Sequence, residues 1–170
     1  AYSHENGEKG KTECWYIVDC DEGADIVIGH KAQTKEELKA MIDEGRWDDL
    51  LNVIPIHKGD FFYIPAGTVH AIRKGTLILE TQQNSNITYR LYDYGRLQDG
   101  KPRQLHIKQS LDVIRCPQER ENTVQEAVEK DGNVSQRLVS CPLFTVDHFE
   151  TAEKMTMEQP YSFLIVDVLE

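Results

Sequence analysis

Residues 59–96, GDFFYIPAGTVHAIRKGTLILETQQNSNITYRLYDYGR, place His70, Glu80 and Arg90 at even intervals across alternating strand-like pieces. That spacing results when several strands face one pocket, so this stretch decides the fold. Residues 60–64 (DFFYI) are aromatic and β-branched, and Pro65 ends the ladder because it has no N–H to give. Gly67 permits a positive φ, and residues 68–72 (TVHAI) resume strand character. His70 therefore projects from the start of a strand.

The order Gly59, five residues, Pro65, Gly67 and His70 resembles the second sequence motif of the cupin β-barrels, in which a strand, a Pro-Gly turn and a metal-binding histidine follow one another. The fold this implies is mainly β, a cupin or jelly-roll β-sandwich. Upstream, residues 13–19 (ECWYIVD) read as a strand and 24–29 (ADIVIG) as its hairpin-like partner. Residues 34–44 (TKEELKAMIDE) predict a helix inserted between strands. Thr34 is the N-cap, Glu37 follows three residues on, Leu38, Met41 and Ile42 have helical spacing, and Gly45 comes after the end. Residues 46–53 add a short turn or helix, and 56–59 lead back into the sheet.

Residues 106–116 fit one more strand or a short helix, and 117–136 turn polar and charged, as a linker does. Residues 137–149 (RLVSCPLFTVDHF) and 161–169 (YSFLIVDVL) return to strand composition. The expected organisation is a catalytic cupin-type domain over 1–113 lacking its N-terminal part, a linker over 114–137, and the truncated start of a second β domain over 138–170. The last strand has no following partner, so the chain is expected to be cut at its C-terminus.

The 170 residues suffice for one sizeable core or two small ones. With 29 acidic against 19 basic residues, net charge −10, and no basic run interleaved with aromatics, a nucleic-acid partner is not expected. No apolar stretch approaches the roughly 20 residues that span a bilayer, and the opening AYSHENGEKG lacks a signal peptide's apolar core. The expectation is a cytoplasmic protein with no membrane partner. Cys14, Cys20, Cys116 and Cys141 form no CxxC pair and are expected to be reduced and mostly buried, Cys14 as a small apolar wall residue.

Among polar groups, Glu13 at the head of the first strand and His70 past the Pro-Gly turn are suited to coordinate zinc. A catalytic zinc site ordinarily takes three or more protein ligands and keeps a position open, so two are too few. A single histidine at a strand start is ordinarily a satisfied polar residue, and a lone strand-end carboxylate is ordinarily exposed. The Gly-Pro-Gly-His spacing favours the functional reading of His70. His30, His57, His106 and His148 fall in loop or edge contexts and read as surface or structural residues.

KTECWYIVD, the His70 turn and ETQQNSNITYRLYDYGR together resemble the type I mannose-6-phosphate isomerases, particularly their short bacterial form, over most of the chain. In that family a Lys-x-Glu segment, a GTxHA turn, and a glutamate followed by Asn-Ser and an arginine surround one zinc ion. The counterparts are Lys11 with Glu13, then His70, then Glu80 with Asn84, Ser85 and Arg90. The resemblance thus implies Glu13 and His70 as zinc ligands. The family's Gln-x-His-Pro strand, which supplies two more ligands, has no counterpart here, and His4 near the join does not match it. The chain is therefore expected to be an internal piece, with the missing N-terminal segment or another chain completing the metal site.

The activity implied is interconversion of mannose 6-phosphate and fructose 6-phosphate by proton transfer through an enediol. Lys11, Glu80 and Arg90 are the implied catalytic groups, Glu80 as a base or supporting group and Arg90 as a stabiliser of the enediolate or a participant in ring opening. An acidic protein that binds a phosphosugar needs local cations, and Arg96 in YDYGR is the first candidate, beside Arg90 and Lys11. Tyr89, Tyr92 and Tyr94 alternate as in a strand and either line the sugar site or pack a core. The alternatives are a non-catalytic cupin that binds sugar or metal, and an inactive fragment of the isomerase. A redox-iron cupin enzyme would use several strand histidines, which are scarce here.

Overall fold

A computed structural model describes residues 10–152, 154–158, 160 and 162–169. His4 lies outside them. The chain divides into two compact units, Ala1–Glu121 and Asn122–Glu170.

Among the described residues, the first unit carries two antiparallel three-stranded sheets and three short helices. β1 (Glu13–Cys20) is the centre of one sheet, between β4 (Phe61–Ile64) and β6 (Thr76–Gln82). β2 (Asp25–His30) is the centre of the other, between β3 (Leu51–Pro55) and β5 (His70–Ile72). Side chains alternate along a strand, so Glu13, Trp15 and Ile17 share one face of β1. Trp15 and Ile17 pack there with Ile26 and Ile28 of β2 and Phe62 and Ile64 of β4, forming the core between the sheets. Val27, on the other face of β2, joins Leu38, Met41, Ile42 and Leu50 in a second core beneath the helices. β2 is thus buried on both faces, which explains its unbroken apolar run IVIG.

The predicted helix is α1 (Lys35–Asp43). Thr34 Oγ1 accepts the Glu37 N–H at 3.1 Å, and the Glu37 carboxylate accepts the Gln33 N–H at 2.8 Å. Leu38, Met41 and Ile42 are its buried face. α2 (Trp47–Leu50) follows directly and passes into β3, so the expected turn or helix over 46–53 ends three residues early and a strand takes its place. Residues 106–116 resolve as α3 (Ile107–Val113).

Two expectations for this unit are corrected, the first being the hairpin, because β1 and β2 lie in different sheets and do not pair with each other. Residues 84–96 form no strand, and the tyrosines there are arranged by stacking, with Tyr94 at φ 53° and Gly95 at 68° turning the chain. That turn leads into a small hairpin, β7 (Leu97–Gln98) and β8 (Lys101–Pro102), closed by Asp99 and Gly100 at φ 52° and 75°. Positive φ at both central residues suits the tight hairpin turns whose twist matches the strands.

In the second unit, β10 (Asn133–Ser140) pairs with both β9 (Val128–Lys130) and β11 (Thr145–Glu150). The range read as a linker, 114–137, therefore holds β9 and the first half of β10. The strand expected over 161–169 is not found among the described residues 162–169, where Phe163, Ile165, Val166 and Val168 are exposed. Cys14 is buried and Cys20, Cys116 and Cys141 are half-buried.

Candidate active site

The turn after β4 delivers His70. The Thr68 N–H donates to the Pro65 carbonyl at 3.1 Å, and Gly67 takes φ 86°. A Cβ at Gly67 would stand 2.6 Å from the Val113 carbonyl oxygen at the end of α3, and the Arg115 N–H donates to the Gly67 carbonyl at 3.0 Å. Glycine is required there on both counts.

His70 is then oriented by its own turn, with Nδ1 2.8 Å from the Thr68 carbonyl oxygen. A carbonyl only accepts, so Nδ1 carries the proton and Nε2 faces the other way. Nε2 lies 2.7 Å from Glu13 Oε1. A lone pair on Nε2 set against a carboxylate is repulsive, so at this hydrogen-bond distance a proton belongs between them, and a metal ion bound by both would have to part them. Lys11 Nζ lies 2.6 Å from Glu13 Oε2. Burial alone would raise the Glu13 pKa, but the hydrogen bond and charge of His70, and then those of Lys11, outweigh it and hold the carboxyl below its ordinary value. Glu13 is 1% exposed, the opposite of an ordinary strand-end carboxylate.

Trp15 supports this cluster from the same face of β1. Its ring meets that of His70 edge-on at 5.4 Å, and its Nε1 donates to Glu80 Oε2 at 3.0 Å. Glu80, opposite Trp15 on β6, does not line the neighbouring cavity and touches the cluster through Trp15.

That cavity has a volume of about 590 Å³, and Lys11, His70, Arg90, Arg96 and Arg103 line it with Asp93. Four fixed cations against one carboxylate make it basic within an acidic chain. Arg90 donates from Nη1 to the Gln104 carbonyl at 3.3 Å, and its backbone N–H donates to His106 Nδ1 at 3.2 Å. The Arg103 guanidinium grips the Asp93 carboxylate with Nε, at 2.7 Å, and Nη2. The hydrogen bond from Arg103 holds the Asp93 carboxyl below its usual range. Trp47 stacks on Tyr92 at 4.5 Å, Tyr92 meets Tyr94 at 4.5 Å, and the Arg96 guanidinium stands 5.4 Å over the Tyr94 ring. Tyr89, Tyr92 and Tyr94 all line the cavity.

The structure therefore brings Lys11, Glu13 and His70 into one cluster, places Arg90 and Arg96 in the adjoining cavity, and leaves Glu80 outside its lining. Asp93 and Arg103 are additions that the sequence did not single out. Of the remaining histidines, His30 ends β2 as a buried group with Nε2 2.9 Å from the Arg115 carbonyl oxygen, and burial lowers its pKa. Among the described residues, no group of three or more His, Cys, Asp or Glu is arranged to hold a metal ion.

No family model matches the chain. Mannose-6-phosphate isomerase ManA of Bacillus subtilis is 50% identical over 170 residues, covering 98% of this chain and 53% of the relative. Mannose-6-phosphate isomerase of Streptococcus mutans is 49% identical over 170 residues, covering 99% of this chain and 53% of its own length. A crystal structure of the mannose 6-phosphate isomerase from Bacillus subtilis superposes with a TM-score of 0.80 at 46% identity, over 85% of this chain and 46% of that one. The chain spans about half the length of the relatives it matches.

Proposed function

Starting from the chain's homology, along nearly all of its length, to about half of a mannose-6-phosphate isomerase, we propose that it carries much of the active site of a zinc-dependent aldose–ketose isomerase. The observation that carries this reading is the Lys11–Glu13–His70 cluster set beside a basic cavity. The substrates are mannose 6-phosphate and fructose 6-phosphate.

The donor set suits zinc in kind. Glu13 offers a buried carboxylate and His70 an imidazole whose Nδ1 is already committed to Thr68, the outer hydrogen bond that fixes a metal-binding ring. Two ligands are too few for a catalytic zinc, so the remainder come from outside the described residues, in a preceding segment or another chain. A zinc ion held there supplies a Lewis acid that stabilises negative charge on a sugar oxygen.

The chain's own residues account for the rest. Arg96, placed by its stack on Tyr94, takes the phosphate, where guanidinium donors form charge-assisted hydrogen bonds. Arg90 lies in the cavity to stabilise the enediolate while a base takes the proton from C2 and returns it at C1, or to move a proton during ring opening. Lys11 holds the second Glu13 oxygen and keeps the carboxylate ionised. Glu80 acts as a positioning group for His70 through Trp15. The organisation into a catalytic domain and the beginning of a second β domain, and a cytoplasmic location, belong to the same reading. Among the described residues, no helix is long and apolar enough to cross a membrane.

The test is isomerisation of mannose 6-phosphate with bound zinc quantified on the same sample and the mass checked for any associated segment. Turnover with stoichiometric zinc supports the isomerase. Bound zinc and bound phosphosugar without turnover would favour a binding module. A zinc-poor, inactive sample would confine the activity to a longer enzyme.

A further inference from the structure

Two arginines of the cavity meet one carboxylate to which the reaction assigns no step, and a third is tied to the same residue through the backbone. Asp93 is 8% exposed. Its Oδ2 accepts from Arg103 Nε at 2.7 Å, its Oδ1 accepts from Arg103 Nη2, and Oδ1 lies 3.7 Å from Arg90 Nε. Its backbone carbonyl accepts the Arg96 N–H at 2.9 Å. Arg96 and Arg103 flank the β7–β8 hairpin, so Asp93 secures both ends of it.

We propose that Asp93 is a positioning residue for anion binding: its carboxylate fixes the guanidinium of Arg103 and holds that of Arg90 beside it, in the arrangement that receives a sugar phosphate. The inference rests on the phosphosugar reading above. Arginine has five N–H donors in a rigid fork, and Asp93 engages Nε and one Nη2 hydrogen of Arg103, leaving three for a ligand. An arginine already ordered loses less freedom when the anion arrives, so affinity rises by preorganisation.

Charge and order pull in opposite directions here. A carboxylate among arginines cancels one positive charge and, by Coulomb's law alone, weakens anion binding. Asp93→Asn therefore separates the two roles by the sign of its effect.

The experiment is calorimetric titration of mannose 6-phosphate, and separately of inorganic phosphate, into the chain and its variants. Asp93→Asn is expected to bind both about tenfold more weakly although the cavity has gained a positive charge, in line with the loss of one partner from a partly buried charged pair. Arg103→Lys keeps the charge and loses the fork, and it is expected to weaken binding in the same direction. It also carries the test if Asp93→Asn fails to fold. Asp93→Glu is expected to recover part of the affinity. In an Arg103→Ala background the Asp93→Asn change should lose its weakening effect, whereas general damage to the fold would persist there. Equal or tighter binding by Asp93→Asn, or unchanged binding by Arg103→Lys, overturns the role of Asp93 alone. A parent chain that binds neither ligand overturns the phosphosugar reading and this inference together.

Discussion

His70 Nε2 stands 2.7 Å from Glu13 Oε1 while His70 Nδ1 is committed to the Thr68 carbonyl oxygen. The two residues come from different sheets, β5 and β1, so their meeting is a product of the sandwich and not of local sequence. The pair is also the part of the proposed mechanism most easily removed.

If Glu13 and His70 hold zinc, Glu13→Gln and His70→Ala each strip it from the enzyme. Metal content after dialysis checks this, and zinc retained at full occupancy in both variants would sink the assignment.

Arg90→Ala should leave zinc in place and lower turnover by about 100-fold or more, the scale on which a lost donor to a developing charge is felt. Steady-state kinetics beside metal analysis separates the two effects. Unchanged turnover would remove Arg90 from the mechanism.

Glu13 also links stability to pH. Its folded carboxyl titrates below the ordinary 4.5, so its contribution is fully present above that value and is lost as pH falls through the lower folded one. The apo chain is therefore expected to lose thermal stability more steeply below pH 4.5 than Glu13→Gln does. Parallel melting-temperature profiles for the two would contradict the depressed carboxyl.

Gly67→Ala is expected to destabilise the first unit by about 1–3 kcal/mol or more from backbone strain alone, with a further cost because the new methyl meets the Val113 carbonyl at 2.6 Å. Urea unfolding measures it. A loss within a few tenths of a kcal/mol would contradict both the backbone strain and the contact with α3.

What the sequence made legible were the features with a local cause. Thr34, Glu37 and Gly45 bracket α1, and Pro65 with Gly67 shapes the turn ahead of His70. β3 was hidden because LNVIP is a short strand running straight out of α2, with no turn residue between them to mark the change. The tyrosines at 89, 92 and 94 imitate strand alternation, but the ring of Tyr89 meets His106 while those of Tyr92 and Tyr94 are ordered against Trp47 and beneath Arg96, instead of by a ladder. Asp93 and Arg103 meet only because the chain reverses at Asp99 and Gly100, so neither residue carries a signal in isolation. The burial of Glu13 likewise needs Lys11 and His70 in place to be tolerable.

The chain has two tryptophans, and they stand at separate parts of the site. Trp15 touches the ring of His70, whereas Trp47 lies against Tyr92 in the cavity wall. Intrinsic fluorescence therefore offers two reporters without any label. In a Trp47→Phe background the emission follows events at the Glu13–His70 pair, and in a Trp15→Phe background it follows occupancy of the sugar cavity. Rapid mixing with each variant would resolve in time whether metal or phosphosugar arrives first.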